Sequence, residues 1–402
     1  MSDDAPKRKR DLPRAERIAL ARARREAEKA RLFVTCAPGL EPWLVEEIRE
    51  LGLGEPVQTV GGVELEGDRT TLYRANLELG LALQVRLRVG RVHAAHFTEL
   101  VRRTAELPWE RWLRVGERVR FRASAQRSRL MHTKAIEERV AEGIAKRLGG
   151  EVVRASGDEE VVMVHARLER DEATLSIDTS GAPLHRRGWR LASGKAPLRE
   201  DLAHALLRIS GWNRTSPLVD PMAGAGTIAI EAAALARGLA PGRLRSFAFE
   251  AMPTHDAELW QRVKDEAAAR SLGEAPPILA RDRDEGAVAA ARDNAERAGV
   301  VIEHAAAAIS DPWPEPILSS SRGALVTNPP WGHRVSAGKN LLPLYQRLAT
   351  VIDALPPAWN VGVVAVDPEL VRRANLAVRS VVLTDAGGAK VRLHVRVDDE
   401  LL

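Results

Sequence analysis

Cysteine is nearly absent: Cys36 is the only one in 402 residues. A single thiol excludes intrachain disulfides, cysteine zinc clusters and iron-sulfur centres. The ten histidines show no His-x-x-x-His pair beside a carboxylate, so no metal is expected. No run approaches the ~18 apolar residues of a membrane span, and the N-terminal stretch lacks the ~7 to 15 apolar residues of a secretory h-region. A cytoplasmic chain with no membrane partner is therefore the expectation. The glycine-rich segment around Gly224 lacks the third glycine of a dinucleotide fingerprint, and no Gly-Lys-Ser/Thr follows it. That disfavours nicotinamide and nucleoside-triphosphate ligands. No internal repeat occurs.

What is present suffices for two or three filled cores, since 45% of the residues are hydrophobic. Residues 1–31 stand apart. They carry Lys7-Arg8-Lys9-Arg10 and then Arg14, Arg17, Arg22, Arg24, Arg25 and Lys29, with almost no large apolar residue before Leu32. Such a segment buries no core and reads as a solvated, partly helical arm, either a weak polyanion tether or a solubilising tail. The net charge of +5 favours a polyanionic partner. Between Arg86 and Lys134 lie Arg88, Arg91, Arg102, Arg103, Arg111, Arg114, Arg118, Arg120, Arg122, Arg127 and Arg129, against only Glu99, Glu106, Glu110 and Glu117. Guanidinium forks bind phosphate bidentately, so the region is a candidate RNA footprint, with Arg127, Arg129 and Lys134 first in line. An ordinary solvated face is the alternative. The same region alternates charged and apolar residues as a half-buried strand over 118–123, continues as an amphipathic helix over 134–148 stopped by Gly149-Gly150, and ends in a strand pair over 161–166 and 173–178.

The chemistry is concentrated further on. Leu218-Val219 reads as a short strand with Asp220 at its tip, Gly224 and Gly226 permit a tight turn, and 227–235 reads as a helix. Strand, glycine turn and helix form the nucleotide-cradling unit of a doubly wound sheet. A second strand over 277–281 leads into Asp282-Arg283-Asp284 and a helix over 285–298. A carboxylate just past that strand suits ribose hydroxyls, which assigns Asp282 to ligand and Asp284 to helix capping. The third strand is expected over 300–303. The positions after it, 305–308, are alanines, which leaves adenine recognition to backbone groups or Asp311. About a hundred residues past the glycine turn, the apolar run Ala324-Leu325-Val326-Thr327 ends in Asn328-Pro329-Pro330-Trp331. An amide oxygen beside a proline-restrained carbonyl and a flat ring accepts the two hydrogens of a planar NH2 while the ring stacks on its base. A plain turn is the alternative. The natural electrophile for an NH2 so held is the methyl group of S-adenosylmethionine. Methylation at a pyrimidine C5 is disfavoured, because it needs a cysteine nucleophile and Cys36 is remote from the loop. His333 and Arg334, just after the motif, are candidates for a phosphate contact or proton release.

Several segments in order carry a family resemblance: Phe33-Val34-Thr35-Cys36-Ala37-Pro38-Gly39-Leu40-Glu41, then Asp178-Thr179-Ser180-Gly181-Ala182-Pro183-Leu184-His185-Arg186-Arg187-Gly188-Trp189-Arg190, then Ala196-Pro197-Leu198-Arg199-Glu200-Asp201-Leu202-Ala203 with Gly211-Trp212, and the glycine loop with Asn328-Pro329-Pro330-Trp331. Over residues 32–402 the chain resembles the bacterial THUMP-domain RNA methyltransferases that make N2-methylguanosine, above all the 23S rRNA guanine-N2 family. The resemblance implies a basic arm (1–31), a ferredoxin-like plus THUMP α+β region (32–182), and an α/β Rossmann-like class I methyltransferase domain (183–402) whose mostly parallel sheet ends in an antiparallel hairpin around Gly387-Gly388. It implies S-adenosyl-L-methionine as cofactor, held by Asp220, Met222, Gly224, Gly226, Thr227, Asp282 and Asn328. It implies catalysis by Asn328, Pro329, Pro330 and Trp331, and an RNA partner touched also by Arg186 and Arg187. Ribosomal RNA is the first expectation, and transfer RNA the alternative. An adenine-N6 or glutamine methyltransferase would share the motif, and a noncatalytic RNA-binding assembly factor is the reading from a different class. The oligomeric state is not legible in the residues.

Overall fold

A computed structural model describes residues 29–155, 161–190, 198–315, 317, 319–331 and 340–396. His333 and Arg334 lie outside the described residues. The first half forms one mixed sheet of eight strands: β1 (Ala30–Cys36), β2 (Val57–Thr59), β3 (Gly62–Gly67), β4 (Ala82–His93), β5 (Arg118–Gln126), β6 (Val153–Arg154), β7 (Val162–Glu169) and β8 (Glu172–Asp178), in the order β2-β3-β1-β4-β8-β7-β5-β6. The predicted strand over 118–123 forms because Val119 and Phe121 point to the core while Arg118 and Arg122 face outward. The following helix, Thr133–Leu148, ends at Gly149 in the left-handed region (φ 72°). Cys36 is buried at the end of β1, and that burial pushes its thiol up to about 12, as suits a packing residue.

The second half forms a seven-stranded sheet of β9 (Leu218–Asp220), β10 (Ile278–Asp282), β11 (Glu303–Ala306), β12 (Gly323–Thr327), β13 (Trp359–Ala365), β14 (Val378–Ala386) and β15 (Ala389–Arg396), in the order β11-β10-β9-β12-β13-β15-β14. The first five strands are parallel, and the β14–β15 hairpin, turned by Gly387 and Gly388 at φ 67° and 94°, closes the sheet antiparallel. Both faces are apolar, as a parallel sheet requires: Leu218, Ala324 and Val326 join one buried cluster, Val219 and Leu325 the other. The third strand departs from expectation, lying over Glu303–Ala306 instead of 300–303. Gly299 ends the preceding helix at φ 66°, and Val300 N–H returns to Ala295 O at 3.1 Å. Val300 is therefore spent on the helix cap, with its side chain tucked against the core, while Val301 is 88% exposed. Among the described residues no helix is long and apolar enough to cross a membrane.

The halves are bolted together by buried charge. Glu47, on the helix Glu41–Glu50, accepts from Gly80 and Leu81 N–H at 2.9 and 3.0 Å. The His204 ring lies between it and Glu231, 3.0 Å from Glu47 Oε1 and 3.4 Å from Glu231 Oε2. A Cβ on Gly80 would stand 2.4 Å from that ring, so only glycine fits there. Burial opposes a charged His204, but Glu231 and Glu47 outweigh it and raise its pKa. Arg187 completes the cluster, donating to Gly80 O (2.7 Å), Leu184 O (2.8 Å) and Glu231 Oε1 (3.3 Å). At 2% exposure it is not available to RNA, which corrects the expectation for this residue. We expect Arg187→Ala to cost about 3–5 kcal/mol in urea unfolding, because it leaves the buried Glu231 and Glu47 to share His204 and removes the bond to Gly80 O; a midpoint shift worth under ~1 kcal/mol would show that Arg187 does not hold the halves together.

Candidate active site

Parallel strands that neighbour one another end at the same edge, and at that edge the glycine turn and the Asn-Pro-Pro-Trp segment meet. In register, β9 lies between β10 (Ala280 opposite Asp220) and β12 (Leu325 opposite Val219). The chain runs from β9 towards β10 on one side, while β12 lies on the other, so a crevice opens at the switch point. Thr327 Oγ1 donates to Asp220 Oδ1 at 2.8 Å, a contact across 107 residues. Met222 N–H donates to the same oxygen at 3.2 Å. Burial drives the Asp220 carboxyl up to about 7, the Thr327 and Met222 bonds oppose this, and the Asp282 charge adds to it.

The loop is held from beneath. Asp282 Oδ2 accepts from Gly224 N–H and Oδ1 from Asp284 N–H, both at 3.0 Å. Asp284 caps the helix Glu285–Ala298 through Gly286 and Ala287 N–H, the capping role expected of it. Gly224 (φ 52°) and Gly226 (φ 84°) are both left-handed. A Cβ at Gly226 would stand 3.0 Å from the Ala291 methyl, whereas above Gly224 nothing lies within 4 Å. One glycine permits helix packing and the other leaves open space over the turn. Thr227 is buried and its hydroxyl accepts from Arg190 at 2.7 Å. Asp311 sits in a turn where its Oδ2 accepts from Ala308 N–H at 2.8 Å. The buried Arg281 braces that turn by donating to Ala308, Asp311 and Pro312 carbonyls.

At the mouth, Asn328, Pro330 and Trp331 are half-buried and Pro329 is buried. The Trp331 indole N–H donates to Asn328 Oδ1 at 3.0 Å, and the Tyr345 hydroxyl donates to Pro330 O at 3.4 Å. Residue spacing did not point to Tyr345, Thr327, Arg190 or Arg281. Tyr345 lies on the helix Leu342–Asp353 at a position that periodicity reads as core, and only its reach to the motif marks it. Of the RNA candidates, Arg127, Arg129, Lys134 and Arg186 are exposed. Arg127 adopts φ 50° in the turn after β5, and Asp171 holds Arg129 through its backbone N–H at 2.7 Å. Arg186 is on the junction segment, away in sequence from the other three.

The strand order with a glycine loop at the first strand and an acceptor-rich turn at the fourth defines a class I methyltransferase fold, preceded here by ferredoxin-like and THUMP domains. Family models agree. Residues 31–86 match the RlmL ferredoxin-like domain, 94–178 the THUMP domain, and 187–388 the RMKL-like methyltransferase domain. The chain belongs to the RMKL-like methyltransferase family. A curated relative named ribosomal RNA large subunit methyltransferase K/L, from Syntrophotalea carbinolica, is 33% identical over 376 residues, covering 90% of this chain and 53% of its own. The chain thus spans about half the length of the curated relatives it matches. A solved methyltransferase candidate complexed with SAH is 27% identical, with a TM-score of 0.81 over 92% of this chain and 99% of its own. A predicted N6-adenine-specific DNA methylase from Listeria monocytogenes is 29% identical, with a TM-score of 0.81 over 93% and 98%.

In Thr327→Val the hydroxyl that favours ionised Asp220 is gone. We expect the Asp220 carboxyl to titrate above about 7 by carbon-13 NMR; an unchanged or lower value would show that Thr327 does not set its charge.

Proposed function

We propose that this chain transfers a methyl group from S-adenosyl-L-methionine to the exocyclic N2 of a guanosine in 23S ribosomal RNA. The observation that carries the reading is the Thr327–Asp220 bond, which seats the Asn328–Trp331 turn beside the glycine loop. The residues present fit the cofactor: the space above Gly224 is open, and Asp282 stands at the end of the neighbouring strand. The relative complexed with SAH supports the same donor, and the K/L relatives support large-subunit rRNA as substrate. Asp220, Met222, Gly224, Gly226, Thr227, Asp282 and Asn328 would hold the cofactor. When bound, it supplies an electrophilic methyl group.

The chain's own residues orient the nucleophile. Asn328 Oδ1 has two lone pairs, and Trp331 uses one, so one remains for an amine hydrogen, with the Pro329 carbonyl accepting the second. Held this way, the nitrogen lone pair is kept out of conjugation with the ring and aimed at the incoming carbon. The Trp331 face covers the extruded base. The proton leaves to solvent, and no side chain need act as a base. Trp331 thereby serves twice, stacking on the base and fixing the amide.

Mass spectrometry of nucleosides from separated rRNA and tRNA, methylated by the protein or taken from a deletion strain, tests the reading. N2-methylguanosine in 23S rRNA supports it, and N6-methyladenosine or a tRNA-only product refutes it. Asn328→Ala should lower turnover by roughly two orders of magnitude or more with little change in cofactor affinity, and Trp331→Phe should lower kcat more than it raises KM for RNA. Full turnover in Asn328→Ala would refute the assigned role. Asp282→Ala loses both the ribose acceptor and the brace on Gly224, so calorimetry should show S-adenosylmethionine binding weakened by about tenfold or more, a loss of ~1.4 kcal/mol. No heat with the wild-type chain would instead favour a noncatalytic assembly factor.

A further inference from the structure

The first sheet has two unlike faces. Val85, Leu87, Val164 and Ile177 are buried on one. On the other, strand pairing sets Arg122 opposite His165, His165 opposite Ser176, and Ser176 opposite Arg88, a row crossing β5, β7, β8 and β4. Arg86 lies two residues from Arg88 on the same strand face. Arg88 gives its two terminal nitrogens to Ser176 (3.0 Å) and Glu64 (2.6 Å) and rests on the Phe33 ring. Arg86 and Arg122 are not so matched. Arg86 gives both its bonds to the neutral Gln84 amide, and Asp178, its cross-strand neighbour, accepts from Gln84 and Ser180. Arg122 is exposed, and among the described residues it has no carboxylate at ion-pair distance. Two buried polar atoms on this row, His165 Nε2 and Arg88 Nε, lack hydrogen-bond partners. Burial and the charges of Arg86, Arg122 and Arg88 push His165 down to about 3, so it is a neutral imidazole that adds no repulsion.

We infer that this open face, centred on Arg86, Arg122 and His165, docks a backbone phosphate of the RNA substrate. The inference rests on the proposed RNA substrate and adds a site that neither the exposed loop arginines nor the catalytic turn supplies. A phosphodiester brings a negative charge to Arg122, which has no carboxylate at ion-pair distance among the described residues, and to Arg86, which bonds only to the neutral Gln84 amide. Arg86 and His165 are half-buried beside the exposed Arg122, so a phosphate held among them is less screened than one at the fully solvated arginines of the loop tips.

The test is filter binding of the full chain to protein-free 23S rRNA transcribed in vitro, across a potassium chloride series. Arg122→Gln should weaken binding by about three- to tenfold and flatten the log–log salt slope by roughly 0.7–0.9, one phosphate contact, while Arg122→Lys keeps the slope. Arg139→Gln, on an exposed helix residue already paired with Glu142, should change neither. Calorimetric affinity for S-adenosylmethionine should be unchanged in all three. A wild-type slope in Arg122→Gln overturns the inference, as does wild-type protein that does not bind RNA. Loss of poly-glutamate binding with RNA binding intact would make this an acidic-protein site and also overturn it. RNA binding that behaves as expected without any methyl transfer would sink only the proposed function.

Discussion

A buried hydrogen bond from the Thr327 hydroxyl to the Asp220 carboxylate ties together the two strand ends on which the candidate site is built. Parallel pairing aligns β9 and β12, but pairing alone would allow their loops to diverge. The bond joins the first residue after the apolar part of one strand to the residue before the catalytic-type turn of the other. It also bears on charge. Asp220 is 1% exposed, and its carboxyl is pushed up to about 7. The Thr327 and Met222 donors both oppose that rise, so the Thr327 contact contributes to geometry and electrostatics at the switch point alike.

A second constraint links this edge to the other half of the molecule. The helix Thr227–Ala236 begins at the glycine turn and carries Glu231, which Arg187 and His204 join to Gly80 and Glu47 of the first domain. One continuous apolar cluster runs beneath both sheets. Loop, helix and arginine-bearing sheet are therefore parts of one packed body, and displacing the first domain would strand buried charge. In the proposed reaction this rigidity matters, because a base must arrive at the Asn328 amide while its backbone is held elsewhere on the chain.

Local order was legible where residue type and spacing act alone. The strand–glycine turn–helix at 218–236, the Asp284 cap, the Gly149 stop and the Gly387-Gly388 hairpin follow from backbone rules that a few neighbours satisfy. The third strand was misplaced because Val300, a strand former by propensity, was claimed by the helix cap of Gly299. Arg187 looked like an RNA contact beside Arg186, yet these adjacent residues point to opposite environments.

The amino-acid order established the kind of chemistry on offer: an amide, a restrained carbonyl and a flat ring in one turn, a glycine loop, a single thiol remote from that loop in sequence, and an excess of arginine. It did not establish which arginines meet solvent, which oxygen Trp331 holds, that Tyr345 reaches Pro330, or that Arg122, His165, Ser176 and Arg88 form one row. Those depend on partners tens to hundreds of residues distant, and a side chain's charge or hydrogen bond has no fixed meaning until folding sets the burial and the neighbours around it.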